Sequence, residues 1–466
     1  MAVDRRTFLQ SLGSGLSLAA VTGMSQSCRR SAPPVPKPPA QGSGIDHIVI
    51  VTMENRSFDH FFGWLPNANG TPVGLSYPDK SGAQHRVYPL APDYTGCGHP
   101  DPDHSYGGSR TCYANGAMNG FLLDPANYIY CIGYYRASDL PFYAALAQSY
   151  TACDNWHAAI LGPTFANRMF LWAAQTDRIT DSILPSTLPT IFDALGRAGI
   201  SHRYYFNNVP FLALWGFKYL FSTALFSNFL SDAASGNLPA VSFVDPIYTV
   251  LDDGTGNDDH PHADVRNGDA FLSRVYEALA TGPHWANTVL VITFDEWGGF
   301  FEHVAPPRVV SPANSPDRDL QNGAALLGFR VPTVIASPFT RRTAGGVNLV
   351  DHNLYDHTAA LKLIEWRFGL PPLTARDASP AINNPAANFN FSSPDASLPA
   401  LPHPGTVFAA PCFGNILSAD TSTVSGTPTS RQTPKGTRAN ELTSLADSKP
   451  VRDFLSHPHI QSLSKH

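Results

Sequence analysis

Two acidic pairs stand at the ends of two unbroken apolar runs. Glu54-Asn55 follows His47–Met53, and Asp295-Glu296 follows Thr288–Phe294. In an open parallel sheet, ligands bind beyond the carboxyl ends of the strands. Carboxylate and amide oxygens arriving there from two strands suit a divalent cation, which takes hard oxygen ligands. Either pair alone is equally compatible with a solvated or capping role; the two together point to a metal site. Gly298 and Gly299, just after Trp297, let the backbone turn sharply and approach a ligand.

A possible nucleophile lies in Gly162-Pro163-Thr164-Phe165-Ala166-Asn167-Arg168. Proline fits a helix start, and the helix that follows presents unpaired N–H groups beside Thr164, where a phosphate would be held. A threonine hydroxyl attacks phosphorus only when a metal or a base activates it. Read locally, Thr164 is better explained as a capping residue. Histidines beside carboxylates supply the other half of such chemistry, as metal ligands or proton donors to a leaving alkoxide. His104 lies in Asp101-Pro102-Asp103-His104, His260 in Asp258-Asp259-His260-Pro261-His262, His303 follows Glu302, and His357 follows Asp356. No nucleophile-elbow, Walker A or zincin motif is present, which excludes a serine esterase, an ATPase of that type and a zincin protease.

These residues need a scaffold. The runs at 47–53, 288–294 and 331–336 read as buried strands, with Pro332 favouring an edge or strand-start position for the last. Helices are predicted at 164–175, 188–199, 268–281 and 357–368, the last with Asp356 as N-cap. Alternation of the two implies an α/β fold with a mostly parallel central sheet flanked by helices. Residues 65–135, rich in Gly, Pro and Asn, form a long excursion over one end of the sheet. The expected organisation is a signal segment at 1–30, a Pro-rich linker at 31–44, a catalytic domain at 45–372 and a C-terminal extension at 373–466 that wraps the core and is partly disordered.

The bulk properties agree. The chain has 466 residues, 43% of them hydrophobic and 15% charged, with a formal net charge of −6. That size supports one large α/β domain or two ordinary ones, and the absence of a basic block gives no nucleic-acid footprint. No apolar stretch downstream of the N-terminus is long enough to span a membrane. Arg5-Arg6-Thr7-Phe8-Leu9, followed by a weakly apolar stretch, reads as a twin-arginine (Tat) export signal, placing the protein in the periplasm, on the cell surface or outside. Cys28 is a weak candidate for lipidation. In an oxidising compartment Cys97 with Cys112 is the expected disulfide, because it would staple a Gly- and Pro-rich loop.

Together, Glu54-Asn55-Arg56-Ser57-Phe58-Asp59-His60-Phe61-Phe62-Gly63, Asp101–His104, Gly162–Arg168, Asp295–Val304 and Tyr355–Pro372 resemble the bacterial phosphoesterase family that holds phospholipases C and secreted acid phosphatases. The resemblance covers roughly residues 45–372. It implies an alkaline-phosphatase-like α/β fold and a divalent cation held by Glu54, Asn55, Thr164, Asp295 and Glu296. The ion could be Ca, Mg, Mn, Zn or Fe. It also implies that Thr164 is the nucleophile, that His104 and His260 hold phosphoryl oxygens or protonate the leaving group, and that His303 assists. Glu302 departs from the aspartate usual at that position. Threonine at 164 favours a phospholipid diester substrate and a phosphothreonine intermediate. The alternatives are a broad acid phosphatase acting on small phosphoesters and a non-catalytic phosphate- or lipid-binding surface protein. Trp156, Trp297, Phe300 and Phe301 are either a wall for a choline headgroup or core packing.

Overall fold

The β-branched run His47–Met53 forms a central strand, β1, because its aliphatic side chains must leave water: Ile48, Val49, Ile50, Val51 and Met53 are wholly buried. Each such aliphatic side chain contributes about 1.5–3 kcal/mol by leaving water. The computed structural model describes residues 42–71, 74–250, 254–341, 350–412 and 440–463. They lie in one compact unit that runs from Pro34 to His466. The twin-arginine segment, Cys28 and nearly all of the Pro-rich linker fall outside the described residues.

Seven further strands join β1: β2 (Thr151–Cys153), β3 (His202–Phe206), β4 (Thr223–Leu225), β5 (Val241–Val244), β6 (Thr288–Phe294), β7 (Thr333–Ala336) and β8 (Val350–Asp351). Their order in the sheet is β8-β2-β7-β6-β1-β5-β3-β4. Strand β1 runs parallel to β6 from His47↔Thr288 to Met53↔Phe294, and parallel to β5 on its other side. Only β7 is antiparallel to its neighbours, β6 and β2. It lies inside the sheet, so Pro332 marks a strand start and not an edge. The proline precedes the first paired residue, where its missing N–H costs no ladder bond.

The predicted helices appear as α1 (Thr164–Ala173), α2 (Ile191–Arg197), α3 (Val265–Ala280) and α4 (Thr358–Phe368). Helix α4 begins where Asp356 Oδ1 accepts the Thr358 N–H at 2.8 Å, the bond expected of a capping aspartate, although His357 occupies the cap position itself. The excursion over 65–135 carries only short elements.

The C-terminal extension carries helices of its own. Helices α5 (Glu441–Ala446), α6 (Lys449–Ser456) and α7 (Pro458–Leu463) return to the body and bury Leu442, Leu445, Val451, Phe454 and Ile460 in the main core. The expected Cys97–Cys112 disulfide does not form. Cys97 is bonded to Cys412, 315 residues away, and Cys112 is a buried free thiol. Cys112 lies on the helix Tyr106–Tyr113 and packs into an apolar cluster with Phe121, Cys131 and Trp297. Packing of that helix therefore decides which thiol Cys97 can reach, and local loop composition does not.

Candidate active site

Parallel register brings the acids together. Because Met53 and Phe294 are paired, Glu54 and Asp295 leave the sheet side by side, and the Asp295 N–H donates to Met53 O at 3.0 Å. Asn55 then takes a left-handed φ of +58°, a conformation asparagine tolerates better than most residues. Its N–H donates to Asp295 Oδ1 at 3.0 Å, which locks the two strand ends together. Gly298 (φ +64°) packs so closely that a Cβ there would meet Asn55 O at 2.0 Å, so the turn after Trp297 requires glycine.

Thr164 opens α1 and is fully buried; its hydroxyl donates to Asn55 Oδ1 at 3.4 Å. The turn before it is rigid because the Asn167 side chain accepts from Ile160 N at 3.0 Å and donates to Gly162 O at 2.8 Å. The structure thus joins Asn55 to Thr164 and to Asp295, with Glu54 and Glu296 adjacent in sequence. Glu54 Oε2, Asp295 Oδ2 and Glu296 Oε1 are buried oxygens with no hydrogen-bond partner. Burial first, and then the charge of Asp295, push the carboxyls of both Glu54 and Glu296 well above the usual range; Arg168 and His104 respectively oppose this. Three buried carboxylates with unpartnered oxygens are a costly arrangement that a divalent cation reverses, and the donor set is the hard-oxygen kind such cations take. These residues fit the implied metal.

Sequence reasoning did not single out Arg168 and Asp245. Arg168, fully buried on α1, donates through Nε to Glu54 Oε1 at 2.7 Å and through NH1 to Asp245 Oδ1 at 2.9 Å. Asp245 follows β5 directly, so three adjacent strands deliver acids to one edge. The short β5 run, VSFV, gave no signal by which Asp245 could be found.

The histidines divide. His104 Nε2 lies 3.4 Å from Asn55 Nδ2, and His104 and His260 rings sit 5.9 Å apart. Their Nδ1 atoms donate to Pro102 O (2.9 Å) and Pro261 O (3.0 Å), which fixes each ring with Nε2 facing inward. Both Nε2 atoms converge on Glu441 Oε1, at 3.5 Å from His104 and 2.9 Å from His260. Burial pulls the His260 pKa down, but Glu441 and Asp101 outweigh it and raise it to about 10. His104 is likewise raised well above the imidazole range, burial being outweighed by Glu296 and Glu441. Glu441, at the start of α5, is a residue sequence reasoning missed. It sits in a Pro-, Ser- and Thr-rich tail with no local motif.

His303 is placed elsewhere. Its Nδ1 donates to Asp59 Oδ2 at 2.6 Å and its Nε2 faces Asn69 Oδ1 at 3.3 Å, none of which belongs to the set around Thr164. Arg330 lies in the same cluster, 3.1 Å from Asp59 and 2.7 Å from Glu302. Ligand atoms of Asp59, Glu302 and His303 are close enough to hold an ion, as are those of Asp101, His104 and His260. In the first group Arg330 already supplies the positive charge. Glu302 is therefore a partner of Arg330 there and not a ligand at Thr164. His357 sits beneath the site, donating Nε2–H to Asp295 O at 2.6 Å.

The four aromatic residues read as a possible headgroup wall are all fully buried. Trp297 packs edge-on to Phe329, Phe300 stacks on His60 under the Arg56 guanidinium, and Trp156 lies against Tyr355. They are core. Among the described residues no helix is long and apolar enough to cross a membrane.

The model of the Phosphoesterase family matches residues 45–371. Non-specific phospholipase C6 of Arabidopsis thaliana is 33% identical over 372 residues, which cover 72% of this chain and 71% of that protein. Phospholipase C A of Mycobacterium tuberculosis is 28% identical and is matched over 82% of this chain and 85% of its own. Among solved structures, a protein in the alkaline phosphatase superfamily from Vibrio parahaemolyticus aligns with a TM-score of 0.36 and 10% identity over 78% of this chain and 72% of that one.

Proposed function

The chain belongs to the Phosphoesterase family and is a phosphoric ester hydrolase; on that premise we propose that it is a phospholipase C-type phosphodiesterase that cleaves phospholipid headgroup esters through a phosphothreonine at Thr164. The observation that carries this reading is the buried Thr164 hydroxyl at the start of α1, bonded to Asn55 among three carboxylates with unpartnered oxygens.

Glu54, Asn55, Thr164, Asp295 and Glu296 are the residues that would hold a divalent cation. When bound, the cation supplies positive charge that favours an ionised hydroxyl and neutralises a phosphoryl oxygen. Asn55 aims the threonine oxygen, and Arg168 fixes Glu54 so that one oxygen faces the site and the other is spent on the guanidinium. The Oγ–P bond forms as the bond from phosphorus to the leaving alcohol breaks, and water later hydrolyses the phosphothreonine. His104 and His260 hold their working Nε2 atoms inward; as charged rings they donate to phosphoryl oxygens, and one of them gives its proton to the departing alkoxide and is recharged by the proton released from the Thr164 hydroxyl. A substrate panel tests the reading. Hydrolysis of phosphatidylcholine vesicles well above that of p-nitrophenyl phosphate, abolished by EDTA, is expected. A strong preference for the monoester would assign the protein to the acid-phosphatase branch instead.

We also propose export by the Tat route to an oxidising compartment. Arg5-Arg6 and the Cys97–Cys412 disulfide support this, since such bonds persist where thiols are not kept reduced. Arg5→Lys/Arg6→Lys should hold the protein in the cytoplasm, as cell fractionation would show.

A further inference from the structure

The paired histidines present a problem that the reaction alone does not answer. A carboxylate that orients a catalytic histidine normally engages the nitrogen that does no chemistry, leaving the other free. Here that duty is already met. His104 Nδ1 and His260 Nδ1 are tied to the backbone oxygens of Pro102 and Pro261. Glu441 instead sits on the inward atoms, with Oε1 2.9 Å from His260 Nε2 and 3.5 Å from His104 Nε2.

One anionic oxygen set between two imidazoles, hydrogen-bonded to His260 and at ion-pair distance from His104, takes a place that a phosphoryl oxygen would adopt between the same rings. A carboxylate and a phosphoryl group present the same kind of acceptor to such donors. We infer that Glu441 occupies the seat of a substrate phosphoryl oxygen, so that the C-terminal helix α5 carries a tethered substrate mimic that each phosphoester must displace. The inference rests on the proposed role of His104 and His260 in holding the phosphoryl group.

The way α5 is anchored fits a plug. Asn440 caps the helix by accepting the Thr443 N–H at 2.8 Å, while its amide donates to Thr249 O at 2.9 Å. Leu442 and Leu445 are completely buried beneath it. The helix is therefore fixed by contacts that do not involve the carboxylate, and only the Glu441 side chain has to rotate for a substrate to enter. A second carboxylate behaves alike: Asp181 Oδ1 accepts the Phe165 N–H at 2.9 Å, at the helix start beside Thr164. That N–H is a donor a phosphate at this helix would also use. Burial first and then the charge of Glu441 raise Asp181 to about 7.

The test uses the full chain carrying Glu441→Gln or Glu441→Ala, with Thr164→Ala as reference. Each is assayed on p-nitrophenylphosphorylcholine, with inorganic phosphate as competing ligand. A displaced mimic makes both Glu441 variants bind better: KM and the inhibition constant of phosphate fall about tenfold, the scale of one lost charge-assisted hydrogen bond, with kcat retained. A fall in kcat in both variants with unchanged phosphate affinity overturns the inference and makes Glu441 a positioning residue. Loss of a bound metal equivalent in Glu441→Gln, by elemental analysis, overturns it by making Glu441 a ligand. If Thr164→Ala keeps turnover, the nucleophile assignment falls. Calorimetric phosphate affinity of Glu441→Gln against wild type then still decides the plug on its own.

Discussion

Arg168 offers the sharpest test of how the acidic edge of the sheet is held together. The side chain is fully buried and donates to Glu54 Oε1, Asp245 Oδ1 and, at 3.2 Å, Thr52 O. Arg168→Met keeps the bulk and removes every donor. Asp245 still receives the Tyr204 hydroxyl at 2.5 Å on its other oxygen, whereas Glu54 loses its donor and already has Oε2 unpartnered. The cost is therefore chiefly that of one buried carboxylate without its partner, about 3–5 kcal/mol. Glu54→Gln should remove much of that penalty in the Arg168→Met background, because a neutral amide has no charge left to strand. The double-mutant cycle should then show coupling of about 2 kcal/mol or more, within the range for residues in one network. Urea unfolding of the four proteins in EDTA measures this without a contribution from bound cation. A cost below about 1 kcal/mol for Arg168→Met, or additivity of the two changes, would refute the view that this pair anchors the site.

Three further outcomes are expected. The His260 pKa is raised to about 10 in the fold; the sign therefore runs toward stability that is complete below the ordinary imidazole value near 6.5 and lost as pH rises through about 10. NMR titration of the His260 ring should find that midpoint, and Glu441→Gln should lower it. His303→Ala should leave turnover within about twofold while costing about 1.5–3 kcal/mol of stability, because His303 donates to the buried Asp59 carboxylate and to nothing around Thr164. Turnover and urea unfolding on the same sample check both halves. Cys412→Ser opens a loop closed across 315 residues and should lower stability by about 2–5 kcal/mol, read as a drop in Tm under oxidising conditions that vanishes in dithiothreitol.

The parts of the site that were legible in the sequence are those set by continuous segments. Strands β1 and β6 are mostly aliphatic because both faces are buried, and such runs announce themselves; the acids after them inherit their positions from the register. Thr164 was legible as a helix start behind a proline. What could not be read comes from convergence of distant segments. Asp245 depends on β5 lying beside β1. Glu441 depends on a tail helix docking 181 residues beyond His260. His303 follows an acid, as His260 follows two, yet the turn after Gly299 delivers it to Asp59 and Arg330 instead. The cysteines make the same point, since the partner of Cys97 is chosen by where the C-terminal strap crosses the loop.

The central claim is that Thr164 carries the phosphoryl group. Brief reaction with a 32P-labelled phosphodiester, labelled in the phosphoryl group and quenched in acid, followed by peptide mapping, tests it directly. Label is expected on the peptide containing Thr164, recovered as phosphothreonine and absent from Thr164→Ala. Label on a histidine, or full turnover by a folded Thr164→Ala, would contradict it.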